Sequence, residues 1–280
     1  MKLLFSIPLE ENEQPDAALS ECYAGVLCVH EGQYVYCRQT YTENQMYLKE
    51  YRFTREGQLL GASLYALSKP HALNYQWRHY TTHSVSCVAI GSEWGFDLTY
   101  REFFSLTDPL RARYIHDTHA DEPYYHSEHS FSFPPYEIAH KGEFGYVCTF
   151  EDRPVWSFRT QGYLYTDMIQ YNNAVVFGTA GFGGHFVALR LTDGRPLFDI
   201  NTKGTDRYLY DGKFFYTYAG GKNGLLAASL CGAVKTLPLP GATDYDCPLC
   251  LDRDRILCLS CEKKSSSYTT VHLNTVCIEE

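Results

Sequence analysis

The sequence predicts an all-β chain built from repeated four-stranded sheets, and three observations carry that reading. The first is an internal repeat. Arg153-Pro154-Val155-Trp156-Ser157-Phe158-Arg159-Thr160-Gln161-Gly162 returns 42 residues later as Arg195-Pro196-Leu197-Phe198-Asp199-Ile200-Asn201-Thr202-Lys203-Gly204. The second is alternation: large apolar and polar residues take turns within each copy, the period-2 signature of a strand with one buried face. The third is composition, because 24 Tyr and 16 Phe against 3 Met favour strands. A repeat near 40 residues made only of strands predicts stacked blades, since one small sheet cannot bury its apolar face alone. The expected fold is therefore a single β-propeller domain, residues 1–280, with six four-stranded blades and seven or five as the alternative counts.

The elements follow in order. Leu3–Leu9 reads as a strand, then Gly25–His30, a Glu31-Gly32 turn, Tyr34–Tyr41 and Met46–Phe53. After the Arg55-Glu56-Gly57 turn come Leu59–Tyr65, Tyr75–Tyr80, Ser84–Ile90 and Gly95–Tyr100. Asp16–Tyr23 allows one short turn of helix. Phe103–Leu106 opens a longer unit that ends at Asp152 and holds a polar insert. Units 153–194 and 195–232 are the clearest. In the second, Tyr208–Tyr210, the Asp211-Gly212 turn and Phe214–Tyr218 form a hairpin, followed by Gly224–Leu230. The last unit starts at Ala233 and closes on Thr269–Asn274 and Thr275–Ile278. One strand is left over at an end. Leu3–Ile7 and Thr275–Ile278 both look like opening strands, so the two termini are expected to share one blade and remove an exposed edge.

The run Phe186-Val187-Ala188-Leu189-Arg190-Leu191-Thr192-Asp193-Gly194, followed by Arg195-Pro196-Leu197-Phe198, resembles the repeats of PQQ-type (quinoprotein-like) β-propellers, on the WD40-like plan of four-stranded blades. The match is good over 152–232 and loose elsewhere. The resemblance implies a fold and no activity, because propellers host unrelated functions. The chain has no vicinal Cys-Cys pair, so the quinone cofactor is not carried over and no cofactor is expected.

A net charge of −9 argues against general nucleic-acid binding, which needs a basic surface, and permits a basic protein partner. Met1–Ile7 starts like a secretion signal, but Pro8, Glu10, Glu11 and Glu13 cut it short. No apolar run spans a bilayer. The expectation is a cytoplasmic protein with no membrane partner. The 11 Cys then read mainly as small buried hydrophobes in a reducing compartment.

Four constellations could carry chemistry. Cys247-x2-Cys250 and Cys258-x2-Cys261 have zinc-knuckle spacing. However, the repeat aligns Leu249–Leu259 with the blade hairpin at Tyr208–Thr217. Residues three apart in a strand face opposite ways, which favours structural cysteines. His116, His119, His126 and His129 form H-x2-H-x6-H-x2-H among four acids, a candidate site for a divalent metal or for pH-sensitive binding in a loop. Gly178-Thr179-Ala180-Gly181-Phe182-Gly183-Gly184-His185 is not a phosphate loop and reads as a blade turn. No Gly-x-Ser-x-Gly elbow is present, and no spacing selects a catalytic triad.

Two function classes follow. The first is a non-enzymatic binder of a protein partner: an inhibitor, such as an immunity protein to a toxin, or a scaffold. The alternative is a metal-dependent propeller hydrolase of the lactonase kind. That would need axial Glu, Asn and Asp residues, for which Glu93, Asn172 and Asp206 are available without any mark of being axial.

Overall fold

The computed structural model describes residues 1–9, 26–42, 45–66, 77–78, 87–90, 94–97, 102–105, 130–220, 224–243, 247–263 and 269–278. Backbone contacts divide the chain into two compact units. The first is Met1–Glu122, Leu239–Ala242 and Cys247–Glu280; the second is Pro123–Pro238 and Thr243–Asp246.

The described residues form an all-β fold of blade-like, mostly four-stranded sheets. The described strands form five four-stranded sheets and one five-stranded sheet, every pairing antiparallel between neighbours. In the first unit, β1 (Lys2–Pro8) precedes β2 (Val26–His30), β3 (Gln33–Thr42), β4 (Gln45–Phe53) and β5 (Leu59–Ala66). A second sheet holds β6 (Trp77–Arg78), β7 (Cys87–Ile90), β8 (Trp94–Asp97) and β9 (Glu102–Ser105). The second unit begins with β10 (Ser130–Phe133), β11 (Tyr136–His140), β12 (Gly145–Phe150) and β13 (Arg153–Arg159). Its middle sheet has β14 (Tyr163–Leu164), β15 (Ile169–Tyr171), β16 (Ala174–Ala180), β17 (Gly184–Arg190) and β18 (Pro196–Lys203). Its third sheet has β19 (Leu209–Tyr210), β20 (Phe215–Tyr218), β21 (Leu225–Ala228) and β22 (Val234–Leu237). The chain then returns to the first unit with β23 (Leu249–Asp252), β24 (Arg255–Lys263) and β25 (Thr269–Cys277).

The termini share a sheet, as the left-over strand suggested: its order is β1-β25-β24-β23. Lys2 pairs with Cys277 and Pro8 with His272, so β1 covers the edge that β25 would otherwise present. Two boundaries differ from the sequence reading. Thr269–Asn274 and Thr275–Ile278 are one continuous strand, β25, because β24 is long enough to pair along all of it. The strand that opens each sequence repeat also belongs to the preceding sheet. Arg153–Arg159 pairs with β12, while the next copy, β18, pairs with β17. Hairpin pairing joins each such strand to the one before it in the chain. The segment 16–23 lies outside the described residues.

Alternation explains how sheets stack inside the second unit. On the middle sheet, Val175, Phe177, Val187 and Leu189 join Ile138, Tyr146 and Cys148 in one core. The intervening Val176, Phe186, Ala188 and Phe198 join Phe215, Leu226 and Ala228 in another. β16 is buried along its whole length, apolar from Ala174 to Phe177 and with Thr179 as its one polar side chain, satisfied through its hydroxyl. Each such aromatic or aliphatic side chain contributes about 1.5–3 kcal/mol by leaving water.

The repeat also locks neighbouring sheets together. Trp156 on β13 donates its indole N–H to Leu191 O at 2.7 Å, and its ring lies against Gly194 in the β17–β18 turn. The apolar positions of the alternation predict that Trp156, Phe198, Phe104, Val187, Ala188 and Leu226 are buried between blades. Phe198, Val187, Ala188 and Leu226 are buried, while Trp156 is half-buried because the outermost strand of a sheet keeps one flank in water. Phe104 lies among residues whose side chains are outside the description.

In the first unit, one face of the β2–β5 sheet stacks Tyr36 on Tyr51, with ring centroids 5.9 Å apart, and Tyr51 on Phe53. The opposite face carries Cys28, Cys37, Glu50 and Arg52, placed together by register. Glu50 is 1% exposed and accepts from Arg52 Nε at 2.7 Å. Arg55 forms an ion pair with Asp252, and Arg255 donates to Arg55 O at 2.8 Å, tying the β2–β5 sheet to β23 and β24.

Candidate functional site

The site stands where the strand ends of the second unit turn over. The turns β11–β12 and β16–β17 and the segments after β13 and β18 come together there through a set of threonines. Thr160 donates to Gly162 O at 2.9 Å, and Thr179 to Gln161 O at 2.6 Å. One repeat later Thr202 donates to Gly184 O at 3.4 Å and shares a 2.9 Å hydrogen bond with Thr205. A buried loop must satisfy its carbonyls, and a short β-branched hydroxyl does so without leaving the extended backbone. Close approach is fixed by glycine: a Cβ on Gly178 would lie 2.4 Å from Thr205 O.

On this frame sits an aromatic cluster. Phe144, in the β11–β12 turn, is 5.1 Å from Tyr163 and 6.2 Å from Phe182, centroid to centroid. Tyr163 and Phe182 are 5.8 Å apart, and the three rings are mutually tilted. Phe182 is 78% exposed. It also holds a left-handed backbone, φ +47°, between Gly181 and Gly183. A non-glycine residue at positive φ costs about 1–2 kcal/mol, and an exposed phenyl recovers little of that from burial. Tilted aromatic contacts of about 0.5–1.5 kcal/mol per pair hold the ring in place. The arrangement is a fixed apolar knob in water. It can bury against another surface.

The residues singled out from sequence fare as follows. His116, His119, His126 and His129 lie outside the described residues, as does Glu93. Asn172 and Asp206 sit at opposite ends of β16. Asn172 is in the turn before it, while Thr205, next to Asp206, donates its N–H to Thr179 O near the far end. A strand of that length separates them by about 20 Å, so they do not share a metal. Asp206 is instead paired with Arg207 at 3.0 Å. Cys250 and Cys258 lie on the β23–β24 hairpin, whose turn is at Arg253-Asp254 as the repeat alignment required. Cys247, Cys250, Cys258 and Cys261 are all buried. Desolvation pushes the Cys250 and Cys258 thiols well up, as expected for small buried hydrophobes. Among the described residues no group of His, Cys, Asp or Glu is arranged to hold a metal ion.

The Gly178–His185 stretch is a blade turn, yet sequence reasoning passed over what it presents. A lone aromatic between glycines breaks the strand alternation, and that was the available signal for Phe182. Its partners Phe144 and Tyr163 had no such signal, because only the fold brings residues 19 and 38 positions apart into contact. One titratable pair also lies on this unit: His185 Nδ1 and Asp199 Oδ1 are 2.6 Å apart on β17 and β18. It is a cross-strand surface pair of the kind that stabilises sheets.

Against known proteins, no family model matches the chain, and no curated protein matches it. Solved structures do. A chain of the mitotic checkpoint complex is similar at 10% identity and TM-score 0.48, over 98% of this chain and 96% of that one. The WD40 β-propeller domain of Doa1 is similar at 10% identity and TM-score 0.38, over 97% and 96%. BamB from Moraxella catarrhalis is similar at 11% identity and TM-score 0.32, over 89% and 82%. At these scores the likenesses carry no functional weight. The fold resemblance to propeller repeat proteins stands on the sheets themselves.

Proposed function

We propose that this chain is a non-enzymatic binding protein that docks a protein partner on the aromatic cluster of Phe144, Tyr163 and Phe182. One observation carries the reading: an exposed phenyl ring is held on unfavourable backbone, and folding alone gives no reason to keep it. Aromatic knobs of this kind serve as anchors at protein interfaces, where burial supplies the energy that the free protein forgoes. The net charge of −9 supports a partner with a basic surface, through long-range attraction. Among the described residues no helix is long and apolar enough to cross a membrane. We propose a cytoplasmic location, in keeping with cysteines that read as buried hydrophobes in a reducing compartment, and read its role as inhibition, in the manner of an immunity protein, or as scaffolding. We further propose a single six-bladed propeller spanning 1–280, on the length of the sequence repeat and on β1 pairing with β25 in one sheet. For His116, His119, His126 and His129 the reading remains a divalent-metal site in a loop, tested by metal analysis of the wild type and of the fourfold Gln variant.

A photo-crosslinking residue placed at Tyr163 tests the docking reading. The same single protein should be trapped from native lysate by the otherwise wild-type chain and lost with Phe182→Ala or Phe144→Ala. Equal trapping by all three would sink it. Assaying the trapped protein with and without one equivalent of this chain then separates inhibition from scaffolding.

A further inference from the structure

Next to the aromatic cluster, the outer edge of β13 has the features of a second contact. β13 ends its sheet, whose order is β10-β11-β12-β13. The N–H of Thr160 donates to Phe144 O at 2.9 Å, which fixes the phase of the ladder. Arg159 pairs with Gly145, Phe158 with Tyr146, Ser157 with Val147 and Trp156 with Cys148. Hydrogen-bonded and non-hydrogen-bonded pairs alternate in an antiparallel ladder. Phe158 and Trp156 therefore bond inward to β12, and the N–H and C=O groups of Ser157 and Arg159 point outward.

A trough of about 760 Å³ follows this strand from Pro154 to Arg159 and continues over Gly145, Tyr146 and Val147. Its charged lining residues are Lys141 and Arg159, both cationic, in a chain of net charge −9. They share one end, because the Lys141 N–H donates to Gly145 O at 2.7 Å and Gly145 is opposite Arg159. The other end is apolar, with Pro154 and Val155, the latter 45% exposed.

We propose that β13 accepts an extended segment of the protein partner as an added strand, with carboxylates of that segment against Lys141 and Arg159. The outward backbone groups of Ser157 and Arg159 supply main-chain pairing, and the two cations supply direction and selectivity. Local charge, not the charge of the whole chain, meets a strand at contact distance, because solvent screens charges beyond about 8 Å. Arg and Pro on an edge can also serve to repel strands, so the same residues have a defensive reading. The two readings differ in what charge reversal does.

The proposal rests on the reading of this chain as a protein-binding protein, but its test does not use the aromatic cluster. Two fluorescein-labelled peptides serve as probes, each with an alternating Thr-Val body, one ending in two Asp and the other in two Lys. Anisotropy should show the acidic peptide binding at least about tenfold tighter. Lys141→Glu combined with Arg159→Glu should reverse that preference. Ser157→Pro should remove binding of both, since it deletes an outward donor and no inward bond. A melt by circular dichroism confirms that this variant folds; if it does not, the charge-reversal pair decides alone. Equal affinity for the two peptides overturns the proposal, as does no binding at millimolar peptide or an unchanged preference after charge reversal. Sedimentation showing a wild-type dimer that Ser157→Pro dissociates would put a second copy of the chain on the strand and overturn it too. Phe182→Ala should keep peptide binding, so loss of partner trapping with peptide binding intact identifies a separate failure.

Discussion

Gly194→Ala tests the contact that locks one repeat to the next. Gly194 sits at φ +68°, where an alanine is strained by about 1 kcal/mol. Its new Cβ would lie 2.6 Å from Trp156 Cδ2, 2.7 Å from Cγ and 2.8 Å from Cε3, well inside contact. The indole cannot retreat freely, because its N–H is held by Leu191 O at 2.7 Å. Relief then needs either a broken hydrogen bond, about 1 kcal/mol, or overpacking of about 1–3 kcal/mol. The expected destabilisation is about 2–4 kcal/mol. Gly232 offers an internal control one repeat later. It has φ +86°, and its nearest neighbour for a new Cβ is Leu197 O at an ordinary 3.6 Å. Gly232→Ala should therefore cost only the backbone component, about 1 kcal/mol. Urea denaturation of both variants, with Trp156→Phe combined with Gly194→Ala as a coupling check, measures the difference. Equal costs for the two glycines would refute the claim that the indole, and not the turn alone, demands glycine at 194.

Three further outcomes are expected of this fold. Arg52→Ala should destabilise by about 3–5 kcal/mol, because it strands the Glu50 carboxylate at 1% exposure; loss below about 1 kcal/mol by urea denaturation would show that water reaches it. Burial acts to raise the Asp211 carboxyl, but the N–H groups of Phe214 and Lys213 and the Tyr216 hydroxyl outweigh it and hold it below the usual range. Its stabilising contribution is present above the unfolded pKa and is lost as pH falls below about 4, so acid titrations of the wild type should lose stability that Asp211→Asn never had. Among the described cysteines, Cys231 should react first with iodoacetamide. It is exposed, and the Ser229 hydroxyl, 3.0 Å from its sulfur, lowers its pKa. Burial raises Cys28 to about 12 and Cys148 to about 11, so both should stay unlabelled until the chain unfolds; labelling at the Cys231 rate would contradict the burial.

By itself the sequence determined what depends on neighbours along the chain. Alternation within Arg153–Gly162 and its return at Arg195–Gly204 specified strands, hairpins and sheets of about four strands, because side-chain direction in a strand is set by counting residues. The Asp252–Arg255 turn was legible for the same reason, and the sharing of a sheet by Leu3–Ile7 and Thr275–Ile278 was legible because the repeat left one strand over and an exposed edge to cover. Half-burial of Trp156 was not, because exposure depends on where the outer flank of β13 lies in the folded unit. Nor were the distance between Asn172 and Asp206 or the meeting of Phe144, Tyr163 and Phe182. Those depend on which strand ends come together, and no local pattern encodes that. Tertiary structure alone decided them: sheet stacking puts three distant turns at one end of the second unit, and a strained backbone at Phe182 keeps a phenyl ring in water there.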